Sequence, residues 1–204
     1  SVFSIESIKL LSKIGLKTWK IGSGECNSID ILNYLKSKKS KDTIIISTGL
    51  MNNYKIHNLY NFFRKKNPLC IMHCVSEYPC PYDRLGLEAI EEFKNLFPSC
   101  KIGVSDHFNG TLSGPVAYML GARVFEKHVT LNRAWKGTDH SFSLEPNGFK
   151  NIVRDIKRVP EMMQRKNDGS LGNEAVFINF KSLLEQQAFR ARARLPARGE
   201  ASRS

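Results

Sequence analysis

A chain of 204 residues, 41% apolar and 25% charged, has the composition of an ordinary globular protein and enough length to bury a core of its own. No apolar run approaches the roughly 20 residues of a membrane-spanning helix, and no charged-then-apolar leader opens the sequence, so no membrane segment is expected. The net charge of +12 raises nucleic acid as a partner. Its distribution argues against that partner. Lys36, Lys38, Lys39, Lys41, Lys65 and Lys66 are scattered over presumed outer helices, and much of the rest is an arginine series near the C-terminus. Neither region carries the aromatic-rich basic face that stacks bases. A solvated surface is predicted, with an anionic substrate as a secondary reason for the charge.

In chain order, Ser4–Leu11 spaces Ile5, Ile8 and Leu11 as a helix does, with Ser4 as N-cap and Gly15 as stop. Thr18–Gly22 reads as a short strand running into Ser23, Gly24 and Glu25. Ile29–Leu35 is the next helix, Thr43–Ile46 a β-branched strand ending at Ser47-Thr48-Gly49, and Tyr54–Phe63 an amphipathic helix. Leu69–Met72 is another apolar strand, ending in His73-Cys74-Val75-Ser76-Glu77-Tyr78, and Leu87–Phe97 the helix after it. Within Lys101–His140, two apolar runs end at Ser105-Asp106-His107 and Glu126-Lys127-His128, separated by a helix over Leu112–Ala122 that Gly121 closes. Pro146–Met163 is a long helix with proline in its first turn. Ser1, in place of Met, opens the chain at a helix-initiating segment, which predicts that the native N-terminus lies upstream.

A βα module thus recurs five times, and each strand ends in a polar cluster. Alternating units of this size form a parallel sheet, and the convergence of polar strand ends on one mouth favours a barrel over a doubly wound sheet. The expected fold is α/β, of (β/α)8 TIM-barrel type, incomplete, with about five of eight βα units. Residues 1–165 form this partial barrel domain. The Arg- and Ala-rich stretch 166–204 lacks helical periodicity after Phe189 and is expected to be a disordered or foreign tail.

Five cysteines, Cys26, Cys70, Cys74, Cys80 and Cys100, are odd in number and form no CxxC pair, which predicts reduced structural thiols and a reducing, cytoplasmic compartment. His107 and His128 occupy equivalent positions past neighbouring strands, each near a carboxylate (Asp106, Glu126). Neutral imidazoles so placed suit a divalent metal such as manganese, iron or zinc, although a single such histidine is more often a structural hydrogen-bonding residue. His73 divides evenly between a buried histidine and a functional one. Lys20 and Lys127 sit in apolar strands, where a charge needs a purpose: neutralising phosphate or carboxylate, or forming a Schiff base. The alternative is a lysine that snorkels. Ser23, Ser47, Thr48, Ser76 and Ser105 are turn residues one by one, yet together suit phosphate oxygens. Glu25 is an acid/base candidate or an exposed loop glutamate. Asp139 is a further ligand, an orienter of a substrate hydroxyl, or the cap of the helix near Pro146.

Six stretches, KIGSGE (20–25), STGL (47–50), HCVSEYPCPY (73–82), GVSDHFNG (103–110), GARVFEKHVTL (121–131) and WKGTDHSFSLEP (135–146), resemble the sialic acid synthase family. These nonulosonate synthases condense phosphoenolpyruvate with an N-acetylated sugar aldehyde of the N-acetylmannosamine type. The resemblance implies a divalent ion, usually Mn2+, on His107 and His128. It implies phosphate binding by Lys20, Ser23, Ser47, Ser76 and Ser105, Glu25 at the reacting centre, and Tyr78 and Asp139 toward the sugar. It also implies a homodimer for a full-length member. Gly22 stands where the family often has proline, and Ser76 where some members have asparagine. The family's first three strands and its C-terminal antifreeze-like domain have no match here. A catalytically silent fragment or interaction module, and a related phosphoenolpyruvate-dependent keto-acid sugar synthase, are the rival expectations.

Overall fold

The computed structural model describes residues 1–164, so the tail expected over 166–204 lies outside the described residues. Five β-branched and apolar runs form parallel strands: β1 Thr18–Ile21, β2 Thr43–Ser47, β3 Leu69–Cys74, β4 Lys101–Asp106 and β5 Val124–Lys127. They pair in strictly sequential order, β1-β2-β3-β4-β5. A doubly wound sheet reverses its order at a switch point, and this one does not. Instead the sheet curls: the side chains of Lys20 on β1 and Glu126 on β5, the two outermost strands, meet at 3.1 Å. The result is the half-barrel expected from the repeating module.

Among the described residues six α-helices precede, connect or follow the strands: α1 Ile5–Lys13, α2 Ile29–Ser37, α3 Asn53–Phe63, α4 Ala89–Leu96, α5 Ser113–Leu120 and α6 Pro146–Met162. Local chemistry sets their ends. Ser4 caps α1 through the Ser7 amide, and Asn52 caps α3 through the Lys55 amide. Gly121 ends α5 at φ +116°, a conformation that costs other residues a strained Cβ.

Alternation along each strand sorts its residues between two faces. Ile44, Ile46, Leu69, Ile71, Ile102 and Val104 point outward into one core with Leu35, Phe63, Ile90 and Phe97 from the helices. At about 25 cal/mol per Å2 of apolar surface removed from water, this layer is the main source of stability. The other face carries Lys20, Ser47, Cys74, Ser105 and Glu126.

The lysines expected on solvated outer helices divide into two groups. Lys39, Lys41 and Lys65 are exposed, whereas Lys36, Lys38 and Lys66 are half-buried. Lys66 donates to the carbonyls of Lys36 and Lys38, and Lys36 to that of Phe62. These ammonium groups satisfy carbonyls left over at and beyond helix ends. All five cysteines are free, and four of them are buried.

Candidate active site at the strand ends

A cavity of about 610 Å3 opens on the inner face, at the C-terminal ends of the strands. Lys20, Ser23, Glu25, Ser47, Ser76, Tyr78, Ser105, His107 and His128 line it, as the sequence leads one to expect. They arrive there by one rule. Ser105 and His107 are two residues apart, as are Glu126 and His128, so each pair lies on the same side of its chain.

The histidines stand just past β4 and β5, with ring centroids 5.3 Å apart. His107 is almost fully buried, and its Nδ1 lies 2.6 Å from the Val75 carbonyl. A carbonyl accepts only, so Nδ1 carries the proton and Nε2 keeps its lone pair. Burial lowers the His107 pKa below its ordinary value; the Val75 hydrogen bond opposes that effect, and the charge of His128 adds to it. The neutral imidazole that results is the form that binds metals. Tyr78 packs against His107 at 4.0 Å between ring centroids, and buried Phe142 against His128 at 5.1 Å. On the open side, His128 Nδ1 lies 3.6 Å from the Asp139 carboxylate. Among the described residues no third His, Cys, Asp or Glu joins the two histidines in a cluster that could hold a metal ion. A pair of neighbouring imidazoles, that of His107 held by the Val75 carbonyl, fits a divalent ion that takes its other ligands from water or substrate.

The same cavity holds a cradle of hydroxyls. The Oγ atoms of Ser47 and Ser76 are buried with no hydrogen-bond partner among the described residues. Unpaired buried hydroxyls are costly, and a ligand oxygen is what would satisfy them. Gly49 makes the cradle possible. A Cβ there would stand 2.3 Å from Ser76 Oγ, 2.6 Å from Ser23 Oγ and 3.0 Å from Cys74 Sγ. Gly22 does the same for Glu25, whose Oε2 would lie 2.8 Å from an added Cβ. The proline frequent at that position in the resembled family would therefore displace this carboxylate. Ser105 Oγ donates to Glu126 Oε2 at 2.6 Å, and Lys20 pairs with the same oxygen. Burial would raise the Glu126 pKa, but these two partners outweigh it and hold the carboxyl below its usual range.

Several expectations need correction. Lys127 does not face the cavity. It lies on the outer face, paired with Asp106 at 2.8 Å, so neither an anion nor a Schiff-base role fits it. Asp106 is likewise turned away from the histidines. His73 points toward α4, bonded to the Leu85 carbonyl at 2.6 Å and packed edge-on to Phe93, which leaves the structural role. Asp139 neighbours His128 but does not line the cavity, and its side chain is half exposed. Glu126 and Cys74 line the cavity without having been singled out as site residues. Their signal was alternation: Glu126 lies two before His128, and Cys74 two before Ser76.

Residues 1–168 match the NeuB family. The chain is 34% identical over 154 residues to N-acetylneuraminate-9-phosphate synthase of Homo sapiens, covering 75% of this chain and 42% of that protein. It is 36% identical over 165 residues to N,N'-diacetyllegionaminic acid synthase of Campylobacter jejuni, covering 79% and 48%. Among solved structures, N-acetylneuraminic acid synthetase from Leptospira borgpetersenii, in complex with citrate, superposes with a TM-score of 0.74 at 29% identity, covering 95% of this chain and 63% of that one. The chain spans about half the length of the curated relatives it matches. With the half-barrel, the paired histidines and the serine cradle on one face, these matches lead to a plain conclusion: the chain belongs to the NeuB family.

Proposed function

We propose that the chain carries the metal and phosphate portion of a nonulosonate synthase site, in a cytoplasmic enzyme that condenses phosphoenolpyruvate with an N-acetylated sugar aldehyde and releases phosphate. The observation that carries this is the sharing of one cavity by two neighbouring imidazoles and two unpartnered hydroxyls. His107 and His128 are the residues that would hold Mn2+, which as a Lewis acid supplies polarisation of the sugar aldehyde. Ser23, Ser47 and Ser76 offer hydroxyls to phosphate oxygens. Lys20 and Ser105 reach the same anion by exchanging Glu126 for it. Tyr78 lines the cavity beside the histidines and Asp139 neighbours His128, and the sugar is assigned to that side. In the proposed reaction C3 of phosphoenolpyruvate bonds to the aldehyde carbon, water adds at C2, and phosphate leaves by C–O cleavage. Glu25, with its carboxylate in the cavity, is assigned the proton transfer that accompanies this.

A second reading, a catalytically silent interaction module, is favoured by one observation. Among the described residues β5 pairs only with β4, and beside it lies a cavity of about 760 Å3 lined by Val129, Leu131, Trp135 and Phe149. An unpaired strand beside apolar side chains is a template for a partner strand. One assay separates the two readings: phosphate release from phosphoenolpyruvate with N-acetylmannosamine and Mn2+, run beside a His107→Ala/His128→Ala variant. Release by the parent alone supports the synthase. If the parent neither releases phosphate nor melts at a higher temperature with Mn2+, the silent module is the better account.

A further inference from the structure

Asp106 and Lys127 are direct partners on the last rung of the β4–β5 pairing, and the next residue on each strand is a site histidine. Both side chains are buried on the outer face, 4% and 5% exposed. Both oxygens of Asp106 are bonded. Asp106 Oδ1 accepts the Phe108 amide at 2.8 Å, and Oδ2 accepts both Lys127 Nζ at 2.8 Å and the Ser113 hydroxyl of α5. Lys127 Nζ also donates to the Phe108 carbonyl. One carboxylate therefore ties together β4, β5, α5 and the turn that follows His107.

Stability alone does not require charges here. An apolar pair of similar volume usually serves a buried site as well, and the outer-face positions Ile46, Ile71 and Val104 are apolar. A charged, hydrogen-bonded pair differs in being directional, whereas apolar contacts can slide. The residues that follow have narrow requirements. His107 must keep its Nδ1 at 2.6 Å from the Val75 carbonyl while its ring stands 5.3 Å from that of His128.

We propose that the Asp106–Lys127 pair is a positioning device for the two histidines, fixing the β4–β5 register at the strand ends and thereby the spacing of the imidazoles. Neither side chain lines the cavity, so both residues act through their neighbours. The metal aspect of this inference rests on the assignment of His107 and His128 as ligands.

The test compares the parent chain with Asp106→Leu/Lys127→Met, which removes both charges and leaves no unpaired ion. Three quantities are read: the melting temperature, the Mn2+ dissociation constant, and the 15N NMR signal of the hydrogen-bonded His107 Nδ1–H. The expected result is a melting temperature within a few degrees of the parent, Mn2+ binding weakened about 10- to 100-fold, and the His107 signal broadened or lost. Lys127→Arg, which keeps the ion pair, should retain binding close to the parent's. Unchanged Mn2+ binding together with an unchanged His107 signal in the double variant overturns the proposal. If His107→Ala does not alter Mn2+ binding, or the parent binds none, the ligand assignment fails instead, and the NMR signal alone decides the positioning role. Should the double variant unfold, Ser113→Ala loosens one anchor of Asp106 without touching either histidine. A parent-like signal and parent-like Mn2+ binding in that variant sink the idea.

Discussion

The two faces of the sheet use the same strands for opposite purposes. On the outer face, near the strand ends that bear the site, the polar groups are bonded: Asp106, Lys127 and His73 all have partners within aliphatic and aromatic packing. At the opposite strand ends Asp42 and Asn67 each keep one buried oxygen without a partner among the described residues. The inner face leaves two buried hydroxyls without partners and sets a lysine, two glutamates and two histidines around open space. The outer face is packed for folding. The inner face is left unsatisfied in the way that a ligand can complete.

That contrast can be broken, and the largest effects belong outside. Phe63 is fully buried among the outer helices, and Phe63→Ala should cost about 3–5 kcal/mol in urea unfolding. A cost below 1 kcal/mol would mean that the helix layer is not the main core. Asp106→Asn leaves Lys127 buried without its counter-charge and should also cost about 3–5 kcal/mol, unlike the paired apolar replacement. The contrast between single and double variants is what to look for.

A smaller effect involves Asp42, buried and 2.7 Å from the indole nitrogen of Trp19. Burial would raise its pKa, but hydrogen bonds from Trp19 and Ser40, with the charge of Lys38, hold it below the ordinary 3.8. A carboxyl depressed in the folded state contributes stability that is complete above its unfolded value and is lost as pH falls through the lower folded value. Stability should therefore decline on acidification below about pH 3.8, and Trp19→Phe should flatten that decline. Denaturant titrations across this range test it, and an identical slope in the variant refutes the assignment. The smallest effect is inside. Ser47→Ala removes an unpartnered buried hydroxyl and should leave stability within about 1 kcal/mol of the parent, or raise it, while weakening phosphoenolpyruvate binding. A large loss of stability would show that Ser47 has a structural role.

Much of this was legible in the sequence, and the failures on the strands share one cause. Strand positions, the closing role of Gly121 and the mouth formed by Lys20, Ser47, Ser105, His107 and His128 followed from apolar runs ending in polar clusters. Reading each ending as a cluster, however, ignores the alternation within it. Lys127 and His73 belong to the same clusters as His128 and Cys74, yet one step along a strand turns a side chain to the other face. Counting in twos moves both outward, and brings Glu126 and Cys74 inward. Asp139 lies in an irregular segment with no period to count, so its half-exposed position beside His128 could not be read from spacing. The close approach of Ser23 and Ser76 depends on Gly49, whose role emerges only when the backbone brings three loops together.

The ion pair between Lys20 and Glu126 has a consequence for how the sheet responds to occupancy. The concave face is no wider than two side chains laid end to end, so a molecule entering it lies within reach of both outermost strands. Such a molecule would act as a staple between segments remote in the chain, closing a long loop that the unfolded chain leaves open. Protection against hydrogen exchange should then rise across all five strands on binding, and not only in the loops that touch the guest.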